Sequence, residues 1–270
     1  MTDQISPLKI DVVLPEVIEL ELPRELHPNL PKPSGLFFLI IGQVLAGKSN
    51  FISSAILSDS WYNDLFKEVI VISNTIEHTS TARFLYQKYK KTCHTMYSDS
   101  IIENFCKRQE DKMELGEDSS FCLVADDILG EVSDRGRKNA RLNYFLTRFR
   151  HYSRPEHANC IFLASQKYLG VPSIARNQAN VIMISSRIAT NREIKAIEED
   201  YSGLVGGNAN FRSMLDYCRQ FPYSWLVIRL DRGSGAEAWY NFEEKLYPSG
   251  GENGEKEKEI QPYEEEGEEN

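Results

Sequence analysis

A glycine-rich loop between a short apolar run and a helical segment constrains this chain more than any other feature. Residues 42–49 read Gly-Gln-Val-Leu-Ala-Gly-Lys-Ser, which satisfies the pattern GxxxxGK[ST] at every defined position. The apolar run 36–41 leads into the loop, and residues 48–57 follow as an amphipathic helix candidate. A strand, this loop and a helix in that order predict a phosphate-binding P-loop.

The loop predicts a site for a nucleoside triphosphate, with ATP as the expected nucleotide. Glycines let the backbone approach phosphates and aim its N–H groups at them, while the helix N-terminus adds partial positive charge. Lys48 is expected to meet the β- and γ-phosphates as a catalytic residue, and the Ser49 hydroxyl to bind Mg²⁺. The expected nucleotide-binding residues are Gly42, Gln43, Val44, Leu45, Ala46, Gly47, Lys48, Ser49 and Asn50.

Two acids follow a second apolar run, as a P-loop site requires. The run 121–125 ends in Asp126 and Asp127, and the carboxyl end of a buried parallel strand is where such sheets bind ligands. We expect Asp126 to hold Mg²⁺ and Asp127 to act as the catalytic base or to orient water. The competing interpretation is a strand-ending turn with two solvated acids. No NKxD segment, which would read a guanine base, occurs in the chain.

A third apolar run, 160–164, is followed by a polar pair. Its second member, Gln166, would lie beside the γ-phosphate if this strand lay between the other two. An amide there would orient water or sense loss of the phosphate, because it both donates and accepts hydrogen bonds. Taken alone, Gln166 is better explained as a surface amide at a strand end.

Alternation of apolar runs with helical segments predicts an α/β fold with a mainly parallel sheet and helices on both faces. The predicted strands are 36–41, 69–73, 121–125, 160–164, 181–184 and 225–230, and the predicted helices are 48–57, 80–91, 98–108, 138–151, 191–201 and 209–218. A turn at 231–235 leading into 238–242 predicts a closing hairpin at a sheet edge.

Composition divides the chain into three regions. Residues 1–34 contain six of the eleven prolines and predict an extended arm with one short strand at 12–14. Residues 35–248 form the predicted nucleotide-binding domain. Residues 249–270 are rich in Gly and Glu and predict a disordered tail. The tail supplies most of the net charge of −9, so the remainder is nearly neutral and does not exclude a nucleic-acid partner.

Other sequence signals point to an intracellular protein. The chain has no apolar run long enough to cross a membrane and no signal-peptide pattern at its start. Its five cysteines are scattered and form no CxxC pair, which favours a reducing compartment over disulfides or zinc.

A basic segment stands out in the nearly neutral body. Residues 135–154 contain seven basic side chains and no acid: Arg135, Arg137, Lys138, Arg141, Arg148, Arg150 and Arg154. Such a segment would contact phosphates of DNA or of a neighbouring subunit's nucleotide. Alternatively it is a solvated helix face, although such faces usually mix signs. Leu142, Phe145, Leu146 and Phe149 keep helical spacing and are predicted to face the core.

The order of these motifs resembles the FtsK/HerA superfamily, and within it the poxvirus-type genome-packaging ATPases of large DNA viruses and virophages. The resemblance covers roughly residues 36–242 and includes the block Ile161–Tyr168 and the Ser185-Ser-Arg187 strand end. It implies a RecA-like (ASCE) P-loop NTPase fold in which the Gln166 strand lies between the two Walker strands. Asp127 departs from the family, since many relatives carry Glu there.

The resemblance also implies a function and partners. It implies ATP hydrolysis that drives double-stranded DNA into a capsid, by a homo-oligomeric ring such as a hexamer or pentamer. The expected location is the virion or a cytoplasmic viral factory, with a capsid protein as a further partner. The family places an arginine near Arg150, which predicts an arginine finger acting on the next subunit's ATP, with Arg148, Arg176 and Arg187 as competitors.

Two alternatives remain open from the sequence. One is a nucleotide or nucleoside kinase with residues 135–154 as a basic lid, which would work without DNA. The other is an assembly scaffold that binds capsid protein through the proline-rich arm and acidic tail, which would not need Lys48.

Overall fold

The computed structural model describes residues 20–78, 80–128, 140–188, 190–231 and 235–248. The predicted strand 12–14, the acidic segment 249–270 and the first basic residues, Arg135, Arg137 and Lys138, lie outside the described residues. Within the described residues, no helix is long and apolar enough to cross a membrane.

Nine strands of the described chain form one sheet. They are β1 (Leu36–Ile41), β2 (Glu68–Ser73), β3 (Cys93–His94), β4 (Phe121–Asp126), β5 (Asn159–Ser165), β6 (Val181–Ser185), β7 (Trp225–Arg229), β8 (Glu237–Tyr240) and β9 (Glu244–Leu246). Their order is β3-β2-β4-β5-β1-β6-β7-β8-β9. The pairs from β3 to β6 are parallel, and those from β6 to β9 are antiparallel. The predicted α/β class is confirmed.

The strand that precedes Gln166, β5, lies where the resemblance implies, between the two Walker strands. β5 pairs with β1 on one side and β4 on the other, with Ile41 opposite Ser165 and Asp126 opposite Ala164. The carboxyl ends of these three parallel strands therefore meet at one edge of the sheet, and that edge carries the P-loop, the two acids and Gln166.

Seven α-helices of the described residues lie between the strands: α1 (Lys48–Leu57), α2 (Arg83–Tyr89), α3 (Asp99–Leu115), α4 (Ala140–Arg148), α5 (Ser173–Gln178), α6 (Asn191–Tyr201) and α7 (Asn208–Arg219). Helices α1 and α6 have the predicted bounds. Helix α3 continues seven residues beyond its predicted end, to a left-handed Gly116 that caps it.

Two predicted helices are shorter than expected, and one helix was not predicted. The segment 80–91 is helical in its middle only, with 3₁₀ turns before and after α2. Helix α4 ends at Arg148 and continues as a 3₁₀ turn, Phe149–Tyr152. Helix α5 has only six residues, too few for an apolar period to stand out.

Alternating side chains of β1 define the two faces of the sheet. Phe37, Leu39 and Ile41 pack with apolar residues of α3 to α7 on one face. Leu36, Phe38 and Ile40 pack with α1 and α2 on the other. All six are buried, as are the predicted core residues of the basic segment, Leu142, Phe145, Leu146 and Phe149. Burial on both faces explains why the strands are continuous apolar runs.

The outermost strands of the sheet, β3 and β9, differ from the sequence prediction. The two-residue β3 was not predicted because so short a strand has no detectable pattern. The predicted closing strand 238–242 ends at Tyr240, because Asn241 and Phe242 have φ of 50° and 64°. These left-handed residues turn the chain into the unpredicted strand β9.

Residues 20–34 contain no helix or strand, as their prolines predict, but they pack against the sheet domain. Leu30 is buried with the α1 and α2 face. The Tyr62 hydroxyl donates to the Pro31 carbonyl at 2.8 Å, and the Asn159 N–H donates to that of Pro33 at 2.7 Å. This part of the proline-rich region is therefore fixed to the domain.

Candidate nucleotide-binding site

The glycines of the P-loop are required by its geometry. A Cβ atom on Gly42 would lie 2.8 Å from Ser185 Cβ and 2.9 Å from Ala46 Cβ, closer than carbon atoms approach. Gly47, immediately before α1, has φ of 91°, which favours glycine. The loop thus passes tightly from β1 into the first turn of α1, with Val44 and Leu45 exposed at its apex.

Lys48 folds back over the loop that precedes it. Its Nζ donates to the carbonyl of Gly42 at 2.8 Å and to that of Gln43 at 3.1 Å, and the residue is only 7% exposed. Burial lowers the pKa of Lys48, while the nearby charges of Asp127 and Asp126 act in the opposite direction. A buried ammonium held by two carbonyls is placed to exchange those acceptors for phosphate oxygens.

Ser49 and Asp126 join the loop to β4. The Ser49 hydroxyl donates to Asp126 Oδ2 at 2.7 Å. Burial raises the pKa of Asp126, partly offset by this hydrogen bond and by the charge of Lys48. Both predicted magnesium residues therefore meet at one point, in direct hydrogen-bond contact.

Asp127 and Gln166 meet next to this pair. Gln166 Nε2 donates to Asp127 Oδ2, and the Asp127 N–H donates to the Ala164 carbonyl at 3.1 Å. Asp127 has φ of 59°, an uncommon conformation for a residue other than glycine. The chain thus turns sharply after β4, and this turn places the second acid beside the end of β5.

The oxygen ligands at this edge fit Mg²⁺. Mg²⁺ is usually held by one or two protein groups together with substrate phosphates and water. Among the described residues no group of three or more His, Cys, Asp or Glu side chains converges. Ser49 and Asp126 supply a hydroxyl and a carboxylate beside the P-loop, a pair that suits a nucleotide-bound magnesium rather than a resident metal.

Most of these groups line one open cleft of about 1010 Å³, and the cleft also has a wall that the sequence did not predict. The P-loop residues Val44 to Asn50, Asp126, Asp127 and Gln166 border it. The unpredicted wall includes Arg187, Tyr223, Trp225, Asn241 and Phe242. A signal for Arg187 was present in the sequence, because it follows a predicted parallel strand and so belongs at the same edge as the P-loop.

Arg150 lies beside the amino end of β1, at the opposite end of the strands from the cleft. Its Nε donates to the Gly35 carbonyl at 3.4 Å, immediately before the first residue of β1. The P-loop begins after the last residue of that strand, so the two points are separated by about 20 Å of extended chain. Arg150 is therefore not in contact with the cleft of its own chain.

The other described arginines of the basic segment contact groups of the same chain. Arg141 pairs with Glu103 at 2.7 Å, Arg148 donates to the Tyr144 hydroxyl, and Arg154 donates to the Met113 carbonyl at 2.9 Å. The buried apolar side chains of α4 fix this helix against the sheet. That packing does not favour a mobile lid in the described part of the segment.

Two arginines considered as competitors have distinct settings. Arg176 pairs with Asp200 at 2.6 Å and lies over the Tyr168 ring. Arg187 lies at the cleft of its own chain, with its guanidinium carbon 5.4 Å from the centre of the Tyr223 ring.

Solved structures of similar fold include viral packaging NTPases. The genome packaging NTPase B204 from Sulfolobus turreted icosahedral virus 2, in complex with sulfate, matches with a TM-score of 0.52 and 13% identity, covering 76% of this chain and 96% of that one. Its complex with ATP-gammaS matches with a TM-score of 0.50 and 12% identity, over the same shares.

A second kind of ATPase shares the architecture. EssC (ATPases 2 and 3) from Geobacillus thermodenitrificans matches with a TM-score of 0.51 and 11% identity, covering 89% of this chain and 48% of that one. At such identities the likeness shows the fold alone. It confirms the predicted P-loop ATPase fold, a mostly parallel core with antiparallel C-terminal strands. No protein-family model matches the sequence, and no curated protein is significantly similar to it in sequence.

Proposed function

We propose that this chain is a magnesium-dependent ATPase that translocates double-stranded DNA, and that it serves as the genome-packaging motor of a virus. The observation that carries the proposal is the convergence of Lys48, Ser49, Asp126, Asp127 and Gln166 in one cleft. Lys48 belongs to the phosphate-binding loop. Ser49 and Asp126 are the proposed ligands of Mg²⁺, and Asp127 and Gln166 are the proposed groups that orient the attacking water. The fold, shared with a genome packaging NTPase, supports the choice of motor.

Each residue has a distinct role in the proposed hydrolysis. Backbone N–H groups of the P-loop bind the phosphates, and Lys48 leaves the two carbonyls to meet the β- and γ-phosphate oxygens. Ser49 and Asp126 hold Mg²⁺, which neutralises charge on those oxygens when bound. Because the Ser49 hydroxyl already contacts Asp126, both side chains are in place to hold the metal, which would neutralise phosphate charge.

Asp127 is the proposed base or water-orienting group, and Gln166 positions it. An amide that donates to one carboxylate oxygen leaves the other to accept a hydrogen bond from water. Gln166 also reports the state of the γ-phosphate to β5, since it directly follows that strand. Aspartate is one methylene shorter than the glutamate of many relatives, and the turn at its left-handed φ lies beside the end of β5.

Arg150 is proposed to act on the nucleotide of a neighbouring subunit. It lies at the end of β1 opposite the P-loop, and a head-to-tail interface would bring it to the active site of the next subunit. Such heterologous interfaces close into rings when the rotation allows. A ring surrounding duplex DNA, a pentamer or hexamer, would place basic side chains against the phosphates, in the virion or in a cytoplasmic viral factory with a capsid protein as docking partner.

DNA-dependent ATP hydrolysis tests this function. Phosphate release from Mg·ATP should rise when duplex DNA is added, and the protein should displace a third strand from a linear triplex in an ATP-dependent manner. Stimulation without displacement would show a DNA-dependent ATPase that is not a translocase. Transfer of phosphate to a nucleoside acceptor, unaffected by DNA, would favour a kinase instead. Full capsid-assembly activity in Lys48→Ala would favour a scaffold.

A further inference from the structure

The two sides of the cleft, on either side of β1, carry different kinds of side chain. On one side, β4 and β5 bring Asp126, Asp127 and Gln166 to the carboxyl edge of the sheet. On the other, β6 ends two residues before Arg187, and Tyr223 lies two residues before β7. The first side holds the groups that activate water and bind metal, so the γ-phosphate belongs there. The remainder of a bound nucleotide must then extend toward the second side.

Backbone strain marks the second side as a functional surface. Among the described residues, six other than glycine have positive φ, and five of them line the cleft: Leu45, Asp127, Tyr223, Asn241 and Phe242. Three of these five, with φ of 57°, 50° and 64°, are on the side away from the acids. Residues in such conformations persist where the surrounding structure holds them, and they cluster at ligand sites.

An aromatic floor supports this side. The Phe51 and Phe242 rings are stacked at 6.5 Å, and Trp61 packs edge-on to Phe242 at 5.6 Å. The loop carrying Asn241 is tied to β7, because its Oδ1 accepts from the Trp225 N–H at 2.8 Å and its N–H donates to the Trp225 carbonyl at 3.1 Å. The floor is therefore rigid and largely apolar.

The Tyr223 side chain is the exposed aromatic ring on this side of the cleft. Tyr223 is 60% exposed, yet its backbone is held at a left-handed φ and its ring lies 5.4 Å from the Arg187 guanidinium. Because the guanidinium lies over one face of this exposed ring, the other face is a stacking platform for a planar group, since every base presents a π-face.

We propose that Tyr223, with Arg187 beside it, is the nucleobase subsite of the cleft, and that it binds the base by stacking. This inference rests on the proposed nucleotide function of the same site. The phosphates occupy the loop at residues 42–50 and the base lies over the aromatic side. Because stacking reads the face of a base and not its edge, purines should bind better than pyrimidines, while ATP and GTP should differ little.

Nucleotide binding by ring-deletion variants tests the subsite. Tyr223→Ala should weaken ATP binding about tenfold, since loss of a stacking aromatic has effects of that order, and should raise KM with little change in kcat. Tyr223→Gly removes the ring while suiting the positive φ, so it separates ring loss from misfolding. Tyr223→Phe should bind ATP like the wild type. Tripolyphosphate, which has no base, should bind all variants equally.

The chain offers a matched control. Tyr247 is 61% exposed and has the Lys245 ammonium 5.7 Å from its ring, but it does not line the cleft, so Tyr247→Ala should bind ATP normally. Unchanged ATP affinity in both Tyr223→Ala and Tyr223→Gly, with wild-type hydrolysis intact, would overturn the subsite and leave the ATPase proposal standing. Failure of the wild type to bind ATP would overturn both.

Discussion

Gln166 donates a hydrogen bond from its side-chain amide to the carboxylate of Asp127, two residues that are 39 positions apart in sequence. The contact exists because β5 lies between β1 and β4, which brings the residue after β5 beside the residue after β4. The amide therefore fixes the carboxylate that we propose to orient the attacking water. The same hydrogen bond also links Asp127 to β5, which pairs with β1, the strand that leads into the P-loop.

Gln166→Ala should retain ATP binding and lower kcat at least about tenfold, because Asp127 loses the donor that orients it. Gln166→Glu should be more damaging, since two adjacent carboxyl groups raise each other's pKa and favour protonation of the base. Steady-state hydrolysis and equilibrium ATP binding would be measured for both, with Gln87→Ala on α2 as the control. Normal kcat in Gln166→Ala would remove the positioning role.

Substitution of Asp126 and of Asp127 should have different effects on the kinetics of hydrolysis. Asp126→Asn should raise the Mg²⁺ concentration needed for half-maximal hydrolysis, because the metal loses its anionic ligand. Asp127→Asn should bind Mg·ATP normally and hydrolyse it at least about 100-fold more slowly, as loss of a general base does. Magnesium titrations of hydrolysis, with ATP binding measured in parallel, distinguish the two. Equal effects of both variants on the magnesium midpoint would refute this division of roles.

Magnesium use should depend on pH through Asp126. Burial raises the pKa of this carboxyl, and Mg²⁺ binds only the deprotonated form. As pH falls, Asp126 therefore gains its proton earlier than an exposed aspartate does, and the magnesium midpoint should rise at a pH where such an aspartate is still ionised. Titrations from about pH 5 to about pH 8 would be corrected for Mg²⁺ binding by free ATP. A residual pH dependence identical in Asp126→Asn would exclude this carboxyl as its source.

Arg150 should complement a neighbouring subunit. Arg150→Ala and Lys48→Ala should each be inactive alone, yet mixed oligomers should regain partial ATPase, because a Lys48→Ala subunit can donate its Arg150 to an intact P-loop. An arginine finger contributes roughly 10³–10⁵ in rate where it acts. Arg219→Ala, whose guanidinium pairs with Asp216 on the surface, is the control. No recovery in mixtures whose mass confirms mixed oligomers would refute action in trans.

The sequence predicts the central part of the fold well because buried parallel strands and the P-loop have strong local patterns. The bounds of β1, α1 and α6 agree with prediction, and the resemblance placed β5 between β1 and β4. β1 and β5 contain uninterrupted apolar runs, α1 begins within the P-loop motif, and α6 has a side-chain cap. The Thr190 side chain, for example, accepts a hydrogen bond from the Glu193 N–H at the start of α6.

The unpredicted features depend on contacts between distant parts of the chain. Tyr223 and Asn241 reach the cleft only because β7 and β8 lie next to β6 in the sheet, and no local motif links them to the P-loop. The left-handed φ of Tyr223 and Phe242 has no sequence signal, since neither residue type favours it. Helix α5 and strand β3 are too short to show a period.

Phosphate release from Mg·ATP by the wild type and by Lys48→Ala tests the central claim most directly. Lys48 Nζ is held by the Gly42 and Gln43 carbonyls, and in our proposal the phosphates of a bound nucleotide replace them. The wild type should release phosphate, and Lys48→Ala should lose at least about 100-fold in rate, as loss of a charge-stabilising group does. Lys91→Ala, on the exposed turn after α2, should match the wild type. Wild-type turnover in Lys48→Ala would contradict the assignment of this cleft as an ATPase site.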